Sequence, residues 1–138
     1  MTWTLLVYLL LGGQNRGFVV VVAKNVPFDS LSRHQLQQIF LGSLDRVAGV
    51  EVSPVLLWAD DPLQIIFEKA VFGQPFDLEN HWVTQKIKQG TPPPRKARNW
   101  ALVVAYVQRN PGFIGVVPET IVGELDGLDL KVVQIENL

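Results

Sequence analysis

The sequence contains no cysteine, and this excludes a thiol nucleophile, a thiolate metal site and a disulfide framework. The sequence also lacks a strong excess of positive or negative charge, because 12 basic residues are balanced by 13 acidic ones and the net charge is −1. Without a basic field that could hold a phosphate backbone, neither DNA nor RNA is an expected partner. No apolar run approaches the roughly 20 residues that cross a bilayer, so an integral membrane protein is not expected either.

Catalytic residues in a recognisable arrangement are equally scarce. The two histidines, His34 and His81, do not have a spacing that would bring two metal ligands onto one helical face. No serine lies in a nucleophile elbow, and there is no glycine-rich phosphate loop. Asp60 and Asp61 could act as paired carboxylates or bind a divalent cation, but adjacent residues rarely converge on one substrate, and Asp61 also fits a helix cap. The sequence therefore predicts a protein that is not an enzyme and that uses no metal or other cofactor.

The sequence does contain enough hydrophobic residues to form the core of one domain, since they make up 48% of its 138 residues. We expect residues 18–138 to form a single α/β domain. Residues 1–17 are either a signal-like segment or a native N-terminal strand or helix. Their apolar run, Leu5 to Leu11, has the length of a signal-peptide core, but no basic residue precedes it and no clear cleavage site follows it.

Strand and helix signals alternate along that domain. The β-branched run Phe18 to Ala23 predicts a strand that is buried on both faces. Further strands are predicted over Val52 to Trp58, Phe113 to Val117 and Leu130 to Ile135. Helices are predicted after the capping residues Ser32, Asp61 and Asn99, and from about Leu78 to Lys88. The alternation predicts a mixed, mostly parallel sheet with helices on both faces.

Two of these helices carry a pattern that predicts which side is buried. In the helix after Asp61, one apolar face runs without a break through Leu63, Ile66, Phe67, Ala70 and Val71. The helix after Asn99 is apolar nearly all round from Trp100 to Val107. We therefore expect the second helix to be covered on both sides.

Three segments of the chain occur in the order found in a known family. They are Leu36-x-x-Ile39-Phe40-Leu41-Gly42, the strand and helix from Pro54 to Phe67, and Asn110-Pro111-Gly112-Phe113-Ile114-Gly115-Val116-Val117-Pro118. With these segments the chain resembles the substrate-binding proteins of phosphate-type ABC transporters. Trp82 and the basic, proline-containing loop before Arg95 resemble short stand-alone relatives of that family. The resemblance implies a type II periplasmic-binding-protein-like fold, of which this chain matches a single, second lobe, and a periplasmic or secreted protein.

The phosphate-binding run of the family is not retained in this chain. The resemblance places that run, which holds an arginine, several hydroxyl groups and free amides, on residues 57–63. Leu57 stands at the arginine position, Asp61 at a hydroxyl position and Leu63 at a threonine position, while Pro62 has no amide hydrogen. Asp60 and Asp61 also set negative charge against an incoming phosphate. The fold that the resemblance implies therefore does not bring the phosphate function with it.

Two groups of residues are the candidates for a ligand site. The first is Trp58, Ala59, Asp60 and Asp61, which follow a predicted strand at the edge where open α/β sheets bind ligands. The second is the basic group Arg95, Lys96 and Arg98, which could bind a small anion. Each group has a simpler alternative. Trp58 fits core packing, Asp61 a helix cap, and the basic group a solvated loop.

The resemblance leaves two hypotheses for function. The first is a non-catalytic solute-binding domain that works in anion ABC transport or sensing without the usual phosphate motif. The alternative is a protein–protein interaction module, a homodimer or the partner of another lobe or transporter component, that has lost ligand binding. Because the family closes its cleft between two lobes, we expect the face that carries Trp58 to Asp61 to be covered by another chain or a flexible segment. Self-association is the simplest case.

Overall fold

The structure, a computed structural model, describes residues 16–73 and 76–138. The N-terminal segment predicted over residues 1–17 therefore lies outside the described residues, apart from Arg16 and Gly17. Within the two described ranges, none of the helices has both the length and the apolar character needed to cross a membrane.

The centre of the domain is a 6-stranded sheet with the order β2-β8-β1-β7-β5-β6. Its strands are β1 Phe18–Ala23, β2 Ser30–Ser32, β5 Ser53–Leu57, β6 Arg95–Ala97, β7 Phe113–Pro118 and β8 Leu130–Glu136. Strand β1 is antiparallel to both of its neighbours, whereas the other three pairings are parallel. Five strands therefore run in one direction, which confirms the mixed, mostly parallel sheet. A small separate hairpin joins β3 Arg46–Val47 to β4 Val50–Glu51.

Helices cover both faces of this sheet. They are α1 Arg33–Leu41, α2 Pro62–Phe72, α3 Leu78–Gln89 and α4 Trp100–Arg109, with 3-10 helices at Glu119–Glu124 and Asp126–Leu128. Strand β1 shows the two layers directly. Val20 and Val22 belong to the core formed with α1, α2 and α3, while Val19 and Val21 belong to the core formed with α4 and the first 3-10 helix. The prediction of a strand that is buried on both faces is confirmed.

The helix starts follow their capping residues. At α1, the Ser32 hydroxyl accepts a hydrogen bond from the Gln35 amide at 3.0 Å, and the Gln35 side chain accepts one from the Ser32 amide at 2.8 Å. The Asp61 carboxylate accepts a hydrogen bond from the Leu63 amide at 2.9 Å at the start of α2, and the Asn99 side chain caps α4 in the same way. These contacts satisfy amides that have no partner within the helix, so the three predicted starts are confirmed.

The predicted buried face of α2 was partly wrong. Phe67 and Val71 are fully buried, but Ile66 is 42% exposed, while Gln64 and Glu68 are buried in its place. The two polar side chains tolerate burial because Gln64 donates a hydrogen bond to the Glu68 carboxylate at 2.8 Å. The buried face of α2 is therefore rotated toward its polar pair, away from the stripe that hydrophobicity alone selects.

Helix α4 is not covered on both sides, contrary to the prediction from its apolar sequence. Val103, Val104 and Val107 are buried against the sheet, but Trp100 is 39% exposed. The helix lies in the outer layer on its face of the sheet, so its far side faces solvent. Gly115 of β7 lets the helix approach closely, because a Cβ at this position would overlap the Val103 side chain.

Candidate functional site

The carboxyl ends of the parallel strands β5, β6 and β7 meet at one edge of the sheet, which we call the carboxyl edge. The register pairs Leu57 with Ala97, so the next residues, Trp58 and Arg98, both lie at this edge. Strand β1, which runs the other way, begins there. The Glu119 amide, directly after β7, donates a hydrogen bond to the Gly17 carbonyl at 3.1 Å. The predicted turn and the start of α4 are thus placed side by side, as expected for the ligand-binding edge of an open α/β sheet.

Trp58 lies at the carboxyl edge and not in the core. Strand β5 ends at Leu57, and the Trp58 side chain after it is 52% exposed. The chain then turns sharply, since the Asp61 amide donates a hydrogen bond to the Trp58 carbonyl at 3.0 Å. Ala59 and Asp60 form the exposed part of this turn. Core packing, the simpler alternative for Trp58, is therefore excluded by the geometry.

The same turn offers few donors to an anion. Pro62 has no amide hydrogen, and the Leu63 amide already donates to the Asp61 carboxylate at 2.9 Å. The side chain of Leu57, at the position of the family's arginine, is 3% exposed and points into the core. A phosphate placed at this turn would meet the Asp60 and Asp61 carboxylates in place of an arginine and free amides.

The three basic candidates do not converge on this turn. The Arg95 guanidinium carbon lies 5.2 Å from the centre of the Tyr106 ring on α4, while the Lys96 ammonium bonds the Glu79 carboxylate on α3. Consecutive residues of a strand face opposite sides of the sheet, so Arg95 and Lys96 are held apart by the geometry of β6. Of the three, Arg98 lies at the carboxyl edge with Trp58. The seven predicted site residues are therefore divided among the edge and both faces of the sheet.

A second site was not predicted from the sequence. It is a cavity of about 230 Å³ between α2, α3 and the strands β5 and β6, with Pro93 and Pro94 on its wall. Apolar groups of Leu56, Leu78 and Trp82 line it, together with the buried pair Gln64 and Glu68. The one signal in the sequence is that Gln64 and Glu68 are four residues apart on a predicted helix, a spacing that brings side chains together.

Glu68 is the buried ionisable group of this cavity. One of its carboxylate oxygens accepts the hydrogen bond from Gln64 at 2.8 Å, and the other accepts one from the Leu78 amide at 3.4 Å. Burial raises the pKa of Glu68, the nearby Asp77 and Glu79 carboxylates raise it further, and the two hydrogen bonds oppose this shift. The cavity therefore holds a carboxyl group that resists ionisation more than a solvated glutamate does.

The raised pKa of Glu68 predicts a specific dependence of stability on pH. A carboxyl group whose pKa is higher in the folded than in the unfolded chain stabilises the fold when protonated, and that contribution is lost as the pH rises through the interval between the two values. We expect the free energy of unfolding of the wild type to fall relative to Glu68→Gln as the pH rises above about 4.5, the ordinary glutamate value. Urea titrations of both proteins across this range measure the difference. Parallel pH curves would show that the carboxyl group is not perturbed.

Within the described parts of the chain, no three His, Asp or Glu side chains are grouped closely enough to hold a metal ion. The carboxyl edge and the cavity beside Glu68 both combine groups that can form hydrogen bonds, ion pairs and apolar contacts with accessible space.

The fold is similar to that of solved phosphate receptors. An ABC-type phosphate transport receptor from Vibrio cholerae matches with a TM-score of 0.67 at 19% identity, over 88% of this chain and 47% of the receptor. A phosphate ABC transporter substrate-binding protein from Clostridium perfringens, solved with bound phosphate, matches with a TM-score of 0.69 at 16% identity. The match covers 88% of this chain and 46% of that protein. PstS from Borrelia burgdorferi matches with a TM-score of 0.66 at 9% identity, over 88% of this chain and 47% of PstS.

Comparisons by sequence gave no such match, since neither a family model nor a curated protein matches the chain. The chain spans about half the length of the solved proteins that it resembles. That share is consistent with a single lobe, as the resemblance implies. The matches show that this chain has the α/β fold of one lobe of the substrate-binding proteins of phosphate ABC transporters.

Proposed function

We propose that this chain is a non-catalytic, substrate-binding-protein-like lobe whose carboxyl edge closes on a second copy of itself. The observation that carries the proposal is the exposure of three large apolar side chains along this edge. Trp58 is 52% exposed, Ile66 is 42% exposed and Trp100 is 39% exposed. Apolar side chains left open along one edge favour contact with another surface, because their burial removes apolar area from water.

The three side chains belong to neighbouring elements. Trp58 follows β5, and Trp100 opens α4 shortly after β6, the strand next to β5. Ile66, in the second turn of α2, points toward Gly17 at the start of β1, since a Cβ on Gly17 would lie 3.8 Å from the Ile66 Cδ1 atom. The apolar groups are thus distributed along the carboxyl edge, where the family resemblance implies a cleft between two lobes.

The charges of this edge favour a second copy as the partner. Asp60 and Arg98, which are both exposed, carry opposite charges at the same edge. A two-fold pair could set the Arg98 of one copy against the Asp60 of the other, while burying the same apolar side chains twice. The net charge of −1 also gives little repulsion between copies.

Sedimentation at micromolar protein tests self-association. We expect a dimer that Trp58→Asp dissociates, because the substitution places a charge in the apolar contact. The matched control is Ile87→Asp, which changes an 80% exposed apolar side chain near the end of α3, the end that leads to the start of β6 and not to its carboxyl end. The control is expected to stay dimeric. A wild-type protein that sediments as a monomer would refute the proposal.

The second candidate function is anion binding in periplasmic transport or sensing, which the likeness to phosphate receptors favours. Arg98 is the basic side chain that is placed for it, because Arg95 stacks on Tyr106 and Lys96 pairs with Glu79. A thermal-shift screen with millimolar phosphate and sulfate distinguishes the two functions, since a ligand that binds only the folded state raises the melting temperature. We expect no measurable shift, because the turn at Asp60 offers few donors. A rise of several degrees that Arg98→Ala removes would instead favour the solute-binding function.

A further inference from the structure

The cavity beside Glu68 is distinct from the apolar side chains of the carboxyl edge. Ala59 is the residue of the predicted turn that lines it, whereas neither Trp58 nor Asp60 is among its described lining residues. Its walls come from β5, α2, α3, the Pro93-Pro94 segment and β6. The inference that follows therefore does not rest on self-association.

We propose that this cavity binds a small organic cation, an amine with an apolar body, whose ammonium group bonds the Glu68 carboxylate. The body of the ligand packs against the apolar walls formed by Leu56, Trp82 and Val83. Glu68 is the buried ionisable side chain among the lining residues, and the volume of the cavity limits the size of the group that enters it.

The volume is suited to a single ring with a short chain. The cavity holds about 230 Å³, and a dry apolar cavity of about 150 Å³ is enough to hold benzene. Val83, which is 52% exposed, lies at the rim, so the space can be reached from solvent.

The hydrogen bonds of Glu68 leave room for another donor. A carboxylate can accept about four hydrogen bonds. Here one oxygen accepts from Gln64 at 2.8 Å, and the other accepts from the Leu78 amide at the long distance of 3.4 Å. Gln64 is itself held in place, because its carbonyl oxygen accepts a hydrogen bond from the Leu57 amide at 3.2 Å. The acceptor is thus fixed on the cavity wall before a ligand arrives.

The charges around Glu68 select a cation. Glu68, Asp77 and Glu79 together line a second cavity that adjoins the first, and the two neighbouring carboxylates act on Glu68 by like-charge repulsion. The two cations of the lining are Lys96, which is paired with Glu79, and Lys86 on the outer part of α3. An ammonium group at Glu68 would relieve the repulsion, whereas an anion would increase it.

The test compares three probes of the same shape that differ in charge: 2-phenylethylamine, 2-phenylethanol and phenylacetate. Binding is followed by NMR on the indole N–H resonance of Trp82, which donates to the Phe40 carbonyl at 3.0 Å and borders the cavity. We expect the amine to bind at least tenfold more tightly than the alcohol, and phenylacetate to bind most weakly.

Three variants test separately how the Glu68 carboxylate and the space of the cavity contribute to binding. Glu68→Gln keeps the shape of the side chain. It is expected to lower the affinity for the amine to that for the alcohol, while the affinity for the alcohol stays unchanged. Val83→Trp, at the exposed rim, is expected to fill the entrance and to lower the affinity for both the amine and the alcohol. Asp60→Asn removes a carboxylate outside the cavity and serves as the matched control, with no expected change.

Three results would overturn the proposal. They are the absence of binding by the amine at millimolar concentration, equal affinity for all three probes, and an amine affinity that Glu68→Gln leaves unchanged. The titration is repeated on Trp58→Asp. Because the cavity does not depend on the carboxyl edge, the amine is expected to bind this variant as it binds the wild type, whatever the sedimentation experiment shows.

Discussion

Replacing Phe67 with alanine is expected to lower the free energy of unfolding by about 3–5 kcal/mol, the usual cost of removing a buried aromatic ring from a core. The Phe67 side chain is fully buried. Its ring centre lies 5.6 Å from that of Phe18 on β1 and 4.7 Å from that of Phe40 on α1. The substitution would therefore leave a cavity where α2 packs against both the sheet and its neighbouring helix.

The control for this variant is Ile65→Ala, two residues earlier on the same helix. The Ile65 side chain is 54% exposed, so its truncation is expected to cost less than about 1 kcal/mol. Urea denaturation followed by far-UV circular dichroism measures both variants. A similar small loss for the two would mean that α2 is oriented differently from the packing described above.

Gly42→Ala is expected to destabilise the protein by about 2–5 kcal/mol, because two unfavourable effects act at the same atom. Gly42 ends α1 with a left-handed φ of 85°, which an alanine adopts only with strain. A Cβ there would also overlap the ring of Trp82 on α3. The ring cannot simply swing away, since its indole N–H is held by the Phe40 carbonyl at 3.0 Å.

Gly90→Ala separates the two effects. Gly90 ends α3 with a left-handed φ of 68°, but a Cβ at this position would meet nothing within 4 Å. This variant is expected to lose only about 1–2 kcal/mol, the cost of the backbone strain. Thermal or urea unfolding of the pair gives the steric part as a difference. Equal losses would show that the Trp82 indole moves aside at little cost.

The sequence segment that ends in Gly42 could be identified without knowing what its glycine contacts. The capping box and the terminal glycine of α1 are local signals, read from residues that lie a few positions apart. The contact with Trp82 joins α1 to α3 across about 40 positions of the chain, so it follows from packing alone. The steric reason for Gly42 became visible only in the folded structure.

In the candidate site, too, local sequence signals predicted some features and packing decided the others. The turn from Trp58 to Asp61 was predicted to follow a strand, and it does, because β-branched runs and helix caps are local signals. Whether the Trp58 side chain is covered depends on which elements surround the end of β5. The separation of Arg95 from Lys96 depends on β6 being a strand. The sequence had offered a solvated loop as the simpler alternative for this basic group, and the prolines before it do lie outside any helix or strand.

The sequence by itself determined the order of most helices and strands and the points at which three helices begin, because capping residues and β-branched runs act over a few neighbouring residues. Only the tertiary structure decided which short segments become strands. Leu31 pairs with Ile135, and Lys96 pairs with Leu56, across distances in the chain that no local pattern spans. It also decided that α2 buries Gln64 and Glu68, since a polar side chain can be buried only where other parts of the fold provide its hydrogen-bond partners.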